Sequence, residues 1–235
     1  YQPKQVGLAV VHGAITVIKF RPFACLQTFS DCAPICKYSQ LFASYVYFRS
    51  FIPTLQSLLL SLEYVENDES SRQMVDFAVS ISTKFGSSLY FILDEAYFHN
   101  CARLTVKNDA LRMCTKFAQA SLFVFFENQI LYRNPLIDFP VFTGGFLKFF
   151  HYNDDIFDDL KMALLPTFYH DSFLFIRPPD FGGIIDYAGQ GFLQTNTGVC
   201  LTKVQSGDTF YFTIESKNIK NPYMQFVMYY TTCND

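Results

Sequence analysis

Four histidines, seven cysteines and a run of closely spaced aspartates carry most of the reactive chemistry in this chain. His12, His99, His151 and His170 are the candidate bases. A nucleophilic triad needs such a base held against a nucleophile, with a carboxylate behind it. None of the four stands in a G-x-S-x-G elbow or an H-E-x-x-H metal pair. Cys25, Cys32 and Cys36 invite a zinc reading, with His99 or Cys101 brought in by the fold as a fourth ligand. A second close pair is missing, and small buried thiols account for these cysteines better. Asp154, Asp155, Asp158 and Asp159 form the densest acidic group. The twelve-residue calcium loop with glycine at its sixth position is not matched, so a solvated loop is expected, one that could meet a basic partner surface.

His170-Asp171 and Asp94-Glu95 are neighbours that could tune one another for acid/base work. In an extended strand, consecutive side chains point to opposite faces and would not cooperate. The glycine-rich stretch Gly182 to Gly191 lacks both the G-x-G-x-x-G and the P-loop patterns, and no helix follows to hold a phosphate. It reads as a long connection pinned by Phe181, Tyr187 and Phe192. These residues assign no catalytic, cofactor-binding or metal-ligating position, no cofactor, and a protein that is not an enzyme.

The elements that would position such residues are read from composition and period. The chain has 235 residues, of which 50% are hydrophobic and only 17% charged, with a formal charge of -3. A charge density below the usual quarter on so apolar a chain implies surface covered by partner subunits. No run of Lys or Arg could neutralise a nucleic-acid backbone. Aromatics make up 18%, with 28 Phe, 15 Tyr and no Trp, which favours half-buried strands and interfaces. The odd, scattered cysteines and the lack of a leader or an N-x-Ser/Thr acceptor suggest folding in a reducing compartment. No stretch of 18 apolar residues exists, and the nearest candidate, Ala118 to Phe126, is too short to cross a membrane as a helix. Tyr1 at the start is read as a processed N-terminus or a boundary within a longer chain.

Along the chain, Val6 to Phe23 reads as a strand closed by Arg21-Pro22. A short helix is expected near residues 34–40, then a strand over 42–51 broken at Pro53. Leu55 to Val65 is a second apolar run, and Glu66 to Arg72 an exposed loop. Met74 to Ser82 alternates Val75, Phe77, Val79 and Ile81 against smaller or polar residues, the pattern of a half-buried strand. On that reading Phe77→Ala would cost roughly 3–5 kcal/mol. Further strands are expected at 89–93, 146–152, 172–176, 199–204, 209–214 and 224–231, with an aromatic-rich run at 122–132. Residues 108–120 suit a short helix or an irregular strand. On 209–214, Phe210, Phe212 and Ile214 share one face. About ten extended runs, no long helix and no βαβ rhythm point to an all-β sandwich or barrel in a single domain.

The segment Phe42-Ala43-Ser44-Tyr45-Val46-Tyr47-Phe48-Arg49-Ser50 resembles the "aromatic, Tyr, aromatic, Arg, Gly/Ser" strand of jelly-roll capsid proteins from picornavirus-like and insect RNA viruses. Leu55 to Val65 is similar to the apolar strand that follows it there. Ser206-Gly207-Asp208-Thr209-Phe210 is similar to the G-D-x-F lead into their last strand. Pro53 and the stretch 100–170 depart from that pattern. The resemblance implies a jelly-roll β-sandwich over residues 1–235, two facing four-stranded sheets with long loops and one or two short helices. It implies a structural subunit of an icosahedral virion, assembling in host cytoplasm with other capsid subunits. Contact with genomic RNA would be indirect, and no stable membrane insertion is expected. The alternative is a β-sandwich module that binds carbohydrate, lipid or peptide through aromatics such as Phe149, Phe150 and Tyr152.

Overall fold

The computed structural model describes residues 5–11, 14–20, 25–29, 41–62, 70–85, 88–116, 118–127, 134–152, 154–155, 157–158, 169–177, 182–204, 208–215 and 224–232. Contacts group the chain into two compact units, Tyr1–Ala78 and Val79–Asp235. The helix expected near 34–40 lies outside the described residues.

In the first unit, β1 (Gln5–Val6) pairs antiparallel with β5 (Ala43–Ser44). The segment expected as one strand from Val6 to Phe23 instead supplies β2 (Ala9–Val11) and β3 (Ile15–Lys19), antiparallel to each other. With β4 (Cys25–Phe29) they form a sheet in the order β2-β3-β4. β3 is its centre, with Ile15, Thr16, Val17 and Ile18 all buried. The one polar side chain among these four, Thr16, is satisfied by Thr28 at 2.8 Å between hydroxyls.

The strand expected over 42–51 and the second run from Leu55 are corrected: α1 spans Tyr45–Leu59. Ser44 starts it, its hydroxyl accepting the Tyr47 N–H at 3.3 Å. Phe48, Phe51, Leu55 and Leu59 recur every three or four residues, and this stripe packs on Ile18, Phe20 and Ala43. The Phe20 ring meets Tyr47, Phe48 and Phe51 at centroid distances of 5.9–6.3 Å. Strand propensity of the aromatics yields to this packing. Pro53 does not stop the helix, which runs through it without that N–H bond.

The alternating segment Met74 to Ser82 is likewise helical, within α2 (Ser70–Phe85), and the unit boundary falls inside this helix. Ser71, Met74, Val75, Ala78, Val79 and Ser82 are its buried residues, a 3.6-residue stripe. Phe77 is therefore half-buried, and the assigned face was wrong. Arg72, expected in a loop, is in the first turn and pairs with Asp76 one turn on.

The second unit opens with three parallel strands, β6 (Ser88–Asp94), β7 (Gln119–Phe126) and β8 (Leu147–His151), in that order. α3 (Glu95–Asn100), a 3-10 turn at Cys101–Arg103 and α4 (Lys107–Thr115) join the first two. A 3-10 turn at Pro135–Ile137 and α5 (Asp138–Thr143) join the second pair. These are two successive βαβ units, so the absence of that rhythm is corrected. β7 is central and buried from Gln119 to Val124, and its second half, Leu122 to Phe126, is accordingly an unbroken apolar run rather than an alternating one.

The chain then builds β9 (Tyr169–Arg177), β10 (Ile184–Ala188), β11 (Phe192–Thr195), β12 (Gly198–Val204), β13 (Tyr211–Ile214) and β14 (Gln225–Thr232). One antiparallel sheet has the order β11-β12-β9-β14, and β10 pairs with β13. Residues 180–198, expected as a long connection, thus contain two strands. Leu174, Ile176, Ile184, Val199 and Leu201 form the core, with Phe210, Phe212, Ile214 and Met228 packed on it. The face predicted for Phe210, Phe212 and Ile214 is the inward one.

The fold is β-rich. It is not all-β, since long helices and a parallel sheet are present. The described residues form no pair of facing four-stranded antiparallel sheets. No helix among them is long and apolar enough to cross a membrane.

Candidate functional site

In an open parallel sheet, ligand-binding residues collect outside the carboxyl ends of the strands. Here β6 ends at Asp94, β7 runs out into Glu127, and β8 ends at His151 just before Tyr152. The register sets Asp94 beside Phe125 and Phe126 beside His151. This rim gathers three carboxylates, two imidazoles and several aromatic rings.

Asp94, Glu95 and Asp154 have structural work. The Asp94 carboxylate accepts the Tyr97 N–H at 2.6 Å and caps α3. Glu95 opens that helix, where its negative charge suits the N-terminus. One of its oxygens accepts the Glu127 N–H at 3.0 Å. The other lies 3.6 Å from His99 Nε2, one turn on. Asp154 Oδ2 accepts the His151 N–H at 2.7 Å, and Asp155 accepts that of Phe157 at 3.0 Å. Asp154 and Asp155 of the acidic group thus cap turns.

Aromatic rings floor the rim. Phe123 and Phe125 stack on Phe150 at 6.1 and 5.6 Å, and Phe125 stacks on Tyr152 at 6.1 Å. Phe126 touches the His151 ring at 4.2 Å. Tyr152 is half exposed. Partial desolvation, together with the negative field of Asp94, Glu127 and Glu95, raises its phenol above the ordinary value. An acidic, aromatic-lined rim of this kind suits a cationic side chain by charge and by cation–π attraction. Among the described residues, no group of three or more His, Cys, Asp or Glu is placed to hold a metal.

The residues singled out in the sequence fare differently. Asp94, Glu95, His99, His151 and Tyr152 come together at this rim. Phe150 lies under it, while Phe149 meets Phe98 at 5.9 Å. His170 and Asp171 are consecutive in β9, with His170 opposite Lys203 and Thr231. Cys25 is exposed and Cys101 buried, and they share no site. His12, Cys32, Cys36 and Asp159 lie outside the described residues. Glu127 was missed, although a charged residue closing the apolar run Leu122 to Phe126 marks a strand's carboxyl end.

A second surface lies on the sandwich. Among the described residues β14 is an edge strand, and Phe226, Tyr229 and Tyr230 are about half exposed or more. Tyr229 stands edge-on to Phe175 at 5.9 Å, and Phe175 touches Phe173 at 4.4 Å. Gly198 makes room for this cluster, since a Cβ there would come within 2.5 Å of the Phe173 ring.

No protein-family model matches the chain. No curated protein matches it either. Among solved structures, the human COPII-coat protein Sec24c shares the fold. The TM-score is 0.66 at 12% sequence identity, covering 97% of this chain. The chain spans about a third of that protein's length, 36%. At this identity the likeness is one of fold.

Proposed function

We propose that this chain is part of a structural coat subunit that works by protein–protein association and not by catalysis, and that the coat is of the membrane-vesicle kind. The observation carrying the reading is the likeness to the COPII-coat protein Sec24c over 97% of the chain. Two features support it. The charge density is low, at 17%. Large apolar side chains stand exposed on the sandwich, among them Phe226, Tyr229, Tyr230, Tyr211 and Ile185. Asp94 and Glu95 at the sheet rim are engaged in a helix cap and in a bond to the Glu127 N–H, which suits a recognition surface better than an acid/base centre.

The virus-capsid reading shares the same mode of action, assembly. The segment that carried its resemblance, Phe42 to Ser50, lies mostly on α1 rather than on a strand. The two readings separate on what the protein assembles with. Full-length protein should be tagged in its own cells and its partners quantified by mass spectrometry. Light scattering and electron microscopy of the purified protein should run beside this. Stoichiometric recovery of vesicle-coat components, with no closed particle from the protein alone, is the expected result. Closed shells containing RNA would replace it with the capsid. A monomer with no stoichiometric partner would overturn both.

A further inference from the structure

α4 meets the sandwich through sulfur. Cys114 in the last turn of α4 and Cys200 in β12 are 0% and 4% exposed. They are 86 residues apart in sequence. Cys200 and Thr202 stand two residues apart on β12, so their side chains leave the same face of the strand, the one that meets Cys114. Cys114 Sγ lies 4.0 Å from the Cys200 carbonyl oxygen, and the Thr202 hydroxyl donates to Cys114 Sγ at 3.3 Å. Nothing in the coat reading uses these sulfurs. Two thiols in contact, on elements from different layers of one unit, have a reaction open to them that neither has alone, oxidative coupling.

We propose that Cys114 and Cys200 are a redox latch: a peroxide couples them into a reversible disulfide that fastens α4 to β12. One sulfur attacks a peroxide oxygen, the O–O bond breaks, and sulfenic acid and one water result. The second sulfur then displaces the hydroxyl, which leaves with a proton as a second water. Two thiols and one hydrogen peroxide give one disulfide and two waters, and a dithiol reductant restores the thiols.

The surroundings set the rate. The shared hydrogen bond with Cys200 and burial push the Cys114 thiol up, so it is held protonated at neutral pH, while the Thr202 hydroxyl works the other way. Coupling is therefore slow, and the exposed Cys25 reacts first. The latch responds to sustained oxidation and stays open otherwise.

The test treats the full chain with hydrogen peroxide, alkylates remaining thiols under denaturing conditions, and maps peptides without reduction. The expected product is a peptide pair joined through Cys114 and Cys200, lighter by two hydrogens. The melting temperature should rise by about 5–10 °C, since the link closes a long loop. Dithiothreitol should reverse both changes. Cys114→Ser and Cys200→Ala should each abolish them, and Cys25→Ser should leave them intact. Should either buried variant fail to fold, the wild-type peptide map decides. The proposal is overturned if both buried thiols still alkylate after Cys25 is fully oxidised, or if they link only to other cysteines.

Discussion

The parallel sheet β6-β7-β8 and the antiparallel sandwich β9–β14 belong to one unit but bury their strands by different means. β7 has neighbours on both edges and helical connections beside it, and six consecutive residues, Gln119 to Val124, are buried. The sandwich buries β12 on both faces from Gly198 to Thr202, but β13 alternates and β14 lies on an edge among the described residues, with Phe226, Tyr229 and Tyr230 in solvent. The central strand of the parallel layer has no exposed face, whereas the sandwich ends in a strand with exposed rings. The first is built for rigidity and carries its polar groups at strand ends. The second offers the apolar surface that assembly requires.

The sharpest break of this comparison is at Phe123, 1% exposed in β7. Phe123→Ala should cost roughly 3–5 kcal/mol in denaturant unfolding. A loss under about 1 kcal/mol would mean the parallel layer is as yielding as the sandwich surface. Glycines give a finer contrast. A Cβ on Gly145 would sit 1.8 Å from the Ala120 carbonyl oxygen, and backbone there cannot step aside. On Gly198 it would meet the Phe173 ring at 2.5 Å, and that ring can turn. Gly145→Ala should cost about 3 kcal/mol and Gly198→Ala about 1 kcal/mol by thermal melts. Equal losses would erase the distinction.

Asp94→Ala removes the α3 cap and should cost about 1 kcal/mol, while Asp94→Asn should keep most of it. If both variants match wild type, the rim carboxylate is free for a ligand rather than committed to the helix. Alkaline titration bears on both layers together. Cys114 is buried and Tyr187 half-buried, and their folded-state pKa values are raised. Groups raised in this way bind protons more tightly when folded, so their stabilising effect is complete below the unfolded pKa values and is lost as pH rises past them. Denaturant midpoints should fall from about pH 9 upward, and Cys114→Ala should delay the onset. Smallest of all, Tyr229→Ser should change stability by less than about 0.5 kcal/mol while weakening recovery of partners. Unchanged recovery would remove β14 from the interface.

Legibility followed solvent. Tyr211 to Ile214 alternates because one face of β13 is wet, and the inward set Phe212 and Ile214 was readable from period alone. Met74 to Ser82 misled because Val75 and Val79 fit both a two-residue and a 3.6-residue period. Phe77 and Ile81 complete the strand pattern, and Met74, Ala78 and Ser82 the helix. Only burial of the latter set chooses between them. At the candidate rim, Asp94-Glu95 was visible as a pair but set aside on the premise that both lay in one strand. In the fold the strand ends at Asp94 and a helix begins at Glu95, so the pair straddles a boundary.

Sequence by itself determined a β-rich chain, apolar and sparsely charged, with β9, β12, β13 and β14 close to where they stand but without β10 and β11. These follow from local alternation and composition, which need no distant partner. Tertiary structure decided that α1 and α2 are helices, that β6, β7 and β8 are parallel, and which groups share a site. Glu127 and Tyr152 reach Asp94 only through the register of those strands, and Cys114 reaches Cys200 only through the packing of α4 on β12. Both depend on contacts between residues dozens of positions apart, which no local pattern encodes.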